Sequence, residues 1–373
     1  SPMASASRGE HDDDLGRANL KTVYPFAAGA PGAWSAGATG EDVTVAVIDS
    51  GISDHEDFQG RVRARFDMSS VSNGVRDDNG HGTYIAGIIG GRGKGYVGMA
   101  PDARLLSLRV SGSDGKALAS DVVAALQWVV DHKEERNIRV VNISLTSIVP
   151  DSYKQDPLDA AVEQAWLHGI VVVVSAGNYG TDAFSADHAP ANDPFVITVG
   201  AFDDNGTRAH SDDVVADWSS RGVTSDGYSK PDVVAPGVSV TSTLAKHSLF
   251  AQDHPSSIVD KRYITLDGTS ASAAIVSGAA ALLLSDEPGL TPGQVKYRLM
   301  HAGAGVAGSP VLGVDAGAAV TSTVIGDANA SAVPNELIDP FTGEIMYDSV
   351  LWRSVLWRSV LWRSVEEAVL WRN

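Results

Sequence analysis

Residues 43–52 read VTVAVIDSGI, a run of apolar and β-branched residues that ends in an aspartate and a glycine. A run of this kind is too short for a helix and is typical of a strand that is buried on both faces. Further runs of the same type follow, and helical segments lie between them. We predict strands at 43–48, 105–110, 140–145, 170–174 and 195–199. The alternation predicts an α/β fold with a mostly parallel sheet covered on both faces.

Four helices are predicted between or after these strands. They begin near Ser120, cover 158–168 and 270–285, and follow Thr291. Ser120 is expected to cap its helix, and Gly169 to end the second one. Pro292 occupies the first position of the last helix, which is favoured because proline lacks the N–H that would be unpaired there.

The composition excludes several classes of function. The chain has 373 residues, 43% hydrophobic and 20% charged, as in an ordinary globular protein. It contains no cysteine, which excludes disulfides, thiol catalysis and cysteine zinc sites. The net charge of -18 argues against nucleic acid as a partner, because phosphates require clustered Lys and Arg. The same acidity is compatible with structural calcium, which we retain as an expectation.

The two ends of the chain differ from the repeating α/β pattern. We expect 1–20 to be a flexible acidic arm, 21–322 the main domain, and 323–373 a C-terminal extension. From Ser349 the sequence SVLWR occurs three times in succession, and AVLWR follows. These repeats are interpreted as short strands that close over the main domain. The alternatives are an exposed surface whose Trp and Arg side chains bind a polymer, a membrane surface or a partner, and a removable extension.

No apolar run approaches the roughly 18 residues that a membrane span requires, so we predict no membrane span. The first residues lack the apolar stretch of a signal peptide, and we expect any targeting segment to have been removed.

Three segments carry residues suited to nucleophilic catalysis. They read VAVIDSGI around Asp49, DDNGHGTYIAGII around His81, and DGTSASAAIVSG around Ser270. Hydrolysis by a serine requires a base for the hydroxyl proton and an acidic group that orients the base. Asp49 follows a strand, so its carboxylate is expected at the carboxyl edge of the sheet, where α/β folds place their sites. Ser270 opens a helix, whose positive end favours a developing anion.

These segments, in the order Asp, His, Ser, resemble the subtilisin-like serine proteases, the subtilases of peptidase family S8. VVVVSAGNYG at 171–180 is similar to the family's oxyanion segment. The resemblance covers about 33–302 and implies a three-layer α/β/α fold. It implies a triad of Asp49, His81 and Ser270, with an oxyanion hole formed by the Asn178 side chain and the Ser270 N–H.

The resemblance also implies where an extended substrate binds. The expected backbone contacts are Arg109, Val110, Ser111 and Gly112 on one side, and Ser144, Leu145 and Thr146 on the other. The primary specificity pocket is expected between the latter stretch and Ser175, Ala176 and Gly177. Thr146 stands where the family often has glycine, and Ala274 and Ile275 stand where Pro and His are common.

The expected function is a secreted serine endopeptidase that acts on proteins or peptides through an acyl-enzyme and needs no cofactor for its chemistry. The resemblance also implies synthesis with an inhibitory propeptide. Two alternatives remain open: a catalytically silent binding protein with the same fold, and a protease dedicated to processing one partner. The acidic group Asp203, Asp204, Asp212 and Asp213 lacks the spacing of a calcium loop and is interpreted as solvated surface.

Overall fold

The structure is a computed structural model that describes residues 20–71 and 74–348. Residues 1–19 of the arm predicted at 1–20 and the SVLWR repeats at 349–373 lie outside the described residues, so the interpretations given above for them stay predictions. The helices are α1 Tyr24–Ala27, α2 Ala30–Ser35, α3 His81–Gly90, α4 Ala119–Arg136, α5 Pro157–Leu167, α6 Leu249–Asp253, α7 Thr269–Asp286, α8 Pro292–His301 and α9 Ala316–Thr321.

The strands fall into one large sheet and three small antiparallel ones. They are β1 Thr44–Asp49, β2 Val62–Asp67, β3 Arg92–Gly93, β4 Tyr96–Val97, β5 Arg104–Arg109, β6 Ile138–Ile143, β7 Val171–Ser175, β8 Ile197–Asp203, β9 Val214–Val215, β10 Gly222–Val223, β11 Ser229–Lys230, β12 Val233–Pro236, β13 Val240–Thr243, β14 Ile258–Val259, β15 Tyr263–Leu266, β16 Gly303–Gly305 and β17 Leu312–Val314.

The large sheet has the order β16-β17-β12-β8-β7-β6-β1-β5-β2, with β9 paired to β8. Every pairing from β17 to β2 is parallel, whereas β16 and β9 join in the antiparallel sense. The mostly parallel sheet is therefore confirmed. Helices α3 and α7 pack against it together, and α4 and α5 form a second group that contacts β1, β6 and β7. This is the predicted three-layer arrangement.

The register of the central strands brings three chain positions to one edge of the sheet. Ile48 pairs with Ile143, and Ile143 pairs with Val174. The next residues along the three chain segments, Asp49, Ser144 and Ser175, therefore lie in one row at the ends of the strands. Because the strands are parallel, this row lies at their carboxyl ends, where binding sites of open α/β sheets form.

Helix α7 forms the centre of the core. It contacts β6, β7, β8 and β12, and 15 of its 18 residues are buried. By length and composition alone it is the one helix among the described residues that could cross a membrane, but 83% of that apolar window lies buried inside the protein. This burial is what a core helix of a globular domain requires.

The segment that follows α9 also packs onto the body of the protein. Leu337, Ile338 and Ile345 belong to the same hydrophobic core as the sheet. The backbone N–H of Asn335 donates to Glu163 Oε2 at 2.8 Å, and its side-chain amide donates to the carbonyls of Tyr153 and Asp156. The part of the predicted C-terminal extension that the structure describes is thus fastened to α5, while the boundary at 323 stays a prediction.

One helix start differs from the sequence prediction. The sequence predicts that Ser120 caps this helix, but α4 already begins at Ala119. The cap position is occupied by Leu118, whose side chain makes no capping hydrogen bond. The last long helix follows its prediction, because Thr291 caps α8 through a reciprocal bond with Gln294 and Pro292 takes the first position.

Candidate active site

Asp49 and His81 meet at the carboxyl edge of the sheet. β1 ends at Asp49, and α3 begins at His81. The ring Nδ1 of His81 lies 2.9 Å from Asp49 Oδ1 and 3.0 Å from Oδ2. Asp49 is fully buried and His81 is 5% exposed. A buried carboxylate at Nδ1 holds the proton there, so Nε2 is the ring atom that can accept a proton from a nucleophile.

A buried carboxylate behind this pair was not identified from the sequence. Asp77, four residues before His81, is 1% exposed and bonds to groups on both sides of the Asp49–His81 contact. Burial raises the pKa of the Asp77 carboxyl, and its hydrogen bonds from Thr83, Gly80 and Ser50 oppose that rise. The segment DDNGHGT offers two adjacent aspartates, and the sequence does not tell which is buried. The structure leaves the side chain of Asp78 42% exposed.

Ser270 is the second residue of α7 and is half-buried. The helix is entered through Gly268, whose φ of 149° and ψ of 151° suit only glycine. This entry places Ser270 in the first turn, where backbone N–H groups have no partner within the helix. The positive end of an 18-residue helix therefore lies at the predicted nucleophile.

The amide of Asn178 is oriented by its neighbours. Its Oδ1 accepts from the backbone N–H of Thr269 at 3.1 Å and from the Thr269 hydroxyl at 2.9 Å. Because a backbone N–H can only donate, the amide atom that faces Thr269 is the oxygen Oδ1, and the nitrogen Nδ2 is the other end of the amide. A Cβ built on Gly268 would lie 3.7 Å from Asn178 Nδ2 and 3.8 Å from the Ser270 N. The two predicted oxyanion donors thus border one space that a glycine leaves open.

The expected specificity pocket is formed by two buried segments beside Ser270. The Ser144 hydroxyl bonds to Asn142 Nδ2 at 2.9 Å and to the Ser270 carbonyl at 3.4 Å. Leu145 and Thr146 are 2% and 5% exposed.

On the other side, Ser175 and Ala176 are each 3% exposed, and the Gly177 N–H donates to the Thr269 hydroxyl at 3.2 Å. The structure brings both segments to the edge that holds Asp49. Their contact with a substrate stays a prediction.

The third expected substrate segment already makes several bonds within the protein. The Arg109 carbonyl accepts from the Met68 N–H, the Val110 N–H donates to the backbone carbonyl of Asp49, and the Gly112 N–H donates to the Lys116 carbonyl. The Arg109 side chain is 2% exposed and donates to the carbonyls of Ser111 and Gly74. Substrate pairing along this stretch stays a prediction, and fewer of its backbone groups are open than the sequence suggested.

Within residues 20–71 and 74–348, we find no group of three or more His, Asp or Glu side chains that could hold a metal ion. In the acidic group, Asp212 accepts from the Thr207 hydroxyl and Asp213 lies 3.0 Å from the His210 ring. Asp204 and Asp213 are 6% and 3% exposed, so the interpretation of the whole group as solvated surface is wrong. The expectation of calcium stays untested.

The fold and the Asp–His contact define an α/β protein of the subtilisin-like class. A family model described as "Subtilase family" matches residues 40–329. The chain belongs to the subtilase family.

Individual relatives agree with this assignment. The chain is 40% identical over 272 residues to "Serine protease AprX" of Bacillus subtilis, a match that covers 70% of this chain and 61% of that protein. It is 35% identical to "Subtilisin BL" of Lederbergia lenta, covering 73% of this chain and 87% of the relative. The chain therefore spans about three fifths of the first relative and most of the second.

A solved structure is also similar to this chain. It is described as "Crystal structure of a cold adapted subtilisin-like serine proteinase", with a TM-score of 0.58 and 30% sequence identity. The match covers 74% of this chain and 87% of that chain.

Proposed function

We propose that this chain is a serine endopeptidase that hydrolyses peptide bonds with Ser270, His81 and Asp49. The observation that carries the proposal is the bond from His81 Nδ1 to the buried Asp49 carboxylate, at 2.9 and 3.0 Å. A paired imidazole at the start of a helix is the arrangement that activates a serine hydroxyl. The subtilase relatives, whose names denote serine proteases, support the same chemistry.

The reaction follows from the roles of the side chains. Ser270 Oγ attacks the carbonyl carbon of the peptide bond, and its proton passes to His81 Nε2. Asp49 stabilises the imidazolium that forms. Asn178 Nδ2 and the Ser270 N–H donate to the negative oxygen of the tetrahedral intermediate. His81 then protonates the leaving amine, and water releases the acyl group from Ser270 by the same steps. No cofactor enters this chemistry.

The experiment is labelling with a fluorophosphonate probe, followed by digestion of casein. We expect the full chain to be labelled, and both Ser270→Ala and His81→Ala to abolish labelling and digestion. Ser272→Ala is the matched control, because this serine lies in the same helix but is fully buried and bonds to the carbonyls of Ala235 and Pro236. It should retain labelling. A folded wild-type protein without label would exclude the protease and favour the silent binding protein.

The substrate range and the site of action are part of the proposal. Thr146, at the pocket segment, is compatible with either broad digestion or the processing of one partner, and a peptide library separates the two. We place the activity outside the cell, because the subtilase relatives and a net charge of -18 both suit a soluble extracellular enzyme. Immunodetection in culture medium tests this. An inhibitory propeptide stays an expectation that the family resemblance provides.

A further inference from the structure

Asp77 is the most heavily bonded carboxylate near the candidate triad. It lies in the loop that leads into α3 and uses both of its oxygens. Oδ1 accepts from the Gly80 N–H at 2.7 Å and from the Ser50 hydroxyl at 2.8 Å. Oδ2 accepts from the Thr83 N–H at 2.8 Å and from the Thr83 hydroxyl at 2.5 Å. Four donors on one buried carboxylate form a rigid set of charge-assisted bonds.

The partners of Asp77 are the sequence neighbours of the triad residues. Ser50 directly follows Asp49, and its N–H donates to Asp49 Oδ1 at 2.6 Å. Thr83 lies two residues after His81 in α3. The Ser50 hydroxyl closes the connection by accepting from the Gly82 N–H at 2.9 Å. Asp77 therefore joins the end of β1 to the start of α3 on both sides of the Asp49–His81 contact.

We propose that Asp77 is a positioning residue that holds the Asp49 carboxylate and the His81 ring in register for catalysis. The inference rests on the proposed function and adds a residue to it. Asp49 and His81 are 32 residues apart in the chain and belong to different elements, so their alignment depends on contacts between those elements. A misplacement of about 1 Å at a catalytic group can lower the rate about 100-fold.

The first test is Asp77→Asn in the full chain. The amide presents N–H groups to one pair of donors, so that one side of the connection is lost while the volume stays the same. We expect kcat for a chromogenic peptide to fall about 100-fold, with KM changed less than about threefold. We also expect the low-field proton resonance of the His81–Asp49 hydrogen bond to shift or broaden. All measurements are made well below the Tm of each variant.

The control is a substitution of another buried carboxylate. Asp232 bonds to Lys230, Lys296 and the Thr198 N–H, and it precedes β12 at the amino edge of the sheet, away from the triad. Asp232→Asn should lower the Tm, yet leave kcat and the low-field resonance as in the wild type. An equal fall of kcat in Asp232→Asn, or an unchanged kcat in Asp77→Asn, overturns the inference.

A second pair of variants covers the case in which Asp77→Asn does not fold. Thr83→Val removes the hydroxyl that bonds to Asp77, and Thr83→Ser keeps it. We expect kcat to fall in Thr83→Val and to recover in Thr83→Ser; equal rates in the two overturn the inference. Failure of the proposed function has a different signature, namely no Ser270-dependent labelling of the wild type. In that case the low-field resonance in Asp77→Asn still decides whether Asp77 positions the pair.

Discussion

Gly268 offers a direct test of the oxyanion space, because substitution by alanine places a methyl group inside it. The new Cβ would lie 3.7 Å from Asn178 Nδ2 and 3.8 Å from the Ser270 N. An oxyanion must lie about 2.7–3.1 Å from the same two atoms. We predict that the methyl group and the oxyanion compete for one volume, and we expect the transition state to lose at least one donor.

The size of the effect follows from this lost donor. Removing one oxyanion donor in subtilisin lowers kcat about 10²–10³-fold, and we expect a loss of that order in Gly268→Ala. The backbone adds a cost in stability, because a φ of 149° with a ψ of 151° is accessible mainly to glycine. Forcing alanine into such a conformation costs about 1–3 kcal/mol. The assay is kcat and KM on a chromogenic peptide, with the free energy of unfolding measured in urea.

The control is Gly206→Ala. Gly206 has a φ of +67° and nothing within 4 Å of an added Cβ, so that this variant carries backbone strain without entering the site. It should lose about 1–2 kcal/mol of stability and keep its kcat. Our account of the oxyanion space would be refuted by a Gly268→Ala enzyme with wild-type kcat, or by a similar fall of kcat in Gly206→Ala.

Three further predictions concern the body of the protein. Burial and the nearby Asp193 raise the pKa of Glu163 from its ordinary value of 4.5 to about 11. The contribution of Glu163 to the free energy of unfolding is therefore fully present below pH 4.5 and is lost as the pH rises towards 11. Glu163→Gln should therefore become more stable relative to the wild type between about pH 5 and about pH 8 in urea unfolding; a constant difference contradicts this. Asn335→Ala should cost about 1–3 kcal/mol, because it removes the two hydrogen bonds that the side-chain amide donates to the carbonyls of Tyr153 and Asp156, and an unchanged Tm would exclude that role. Gly278→Ala should lower the Tm despite the better helix propensity of alanine, because the added Cβ would lie 2.4 Å from the Cβ of Met99; a raised Tm would show that the helix relaxes.

The central strands were predictable because each is buried on both faces. Every residue of β1 and β7 is buried, and the sequence shows this as continuous apolar runs. β2 was missed, because it lies at the edge of the sheet and reads VRARFD. Its charged residues are tolerated there, because the strand is only partly buried. β12 was also missed, since it has only four residues and ends in a proline. Edge position and shortness remove the pattern that identifies a strand.

For the candidate site, the sequence predicted a set of catalytic residues but not the contacts that hold their side chains. Asp49 was identified from a strand end and His81 from the segment DDNGHGTYIAGII, and the structure brings them into contact. The contribution of Thr269 to orienting Asn178 was missed, because it depends on two segments that are 91 residues apart. Asp77 was missed for a similar reason, since its partners Ser50 and Thr83 become neighbours only when β1 and α3 are in place. Contacts of this kind depend on tertiary structure and leave no local pattern.

The chain order of the site has a consequence for synthesis. Asp49, His81 and Asn178 emerge from the ribosome well before Ser270, which opens the helix that packs across β6, β7, β8 and β12. A nascent chain that ends before α7 contains the base and the oxyanion amide but no nucleophile, and its sheet lacks the helix that covers it. The proposed activity can therefore arise only after most of the domain has been made and closed. By the proposed mechanism, an incomplete chain that lacks Ser270 cannot cleave the proteins around it.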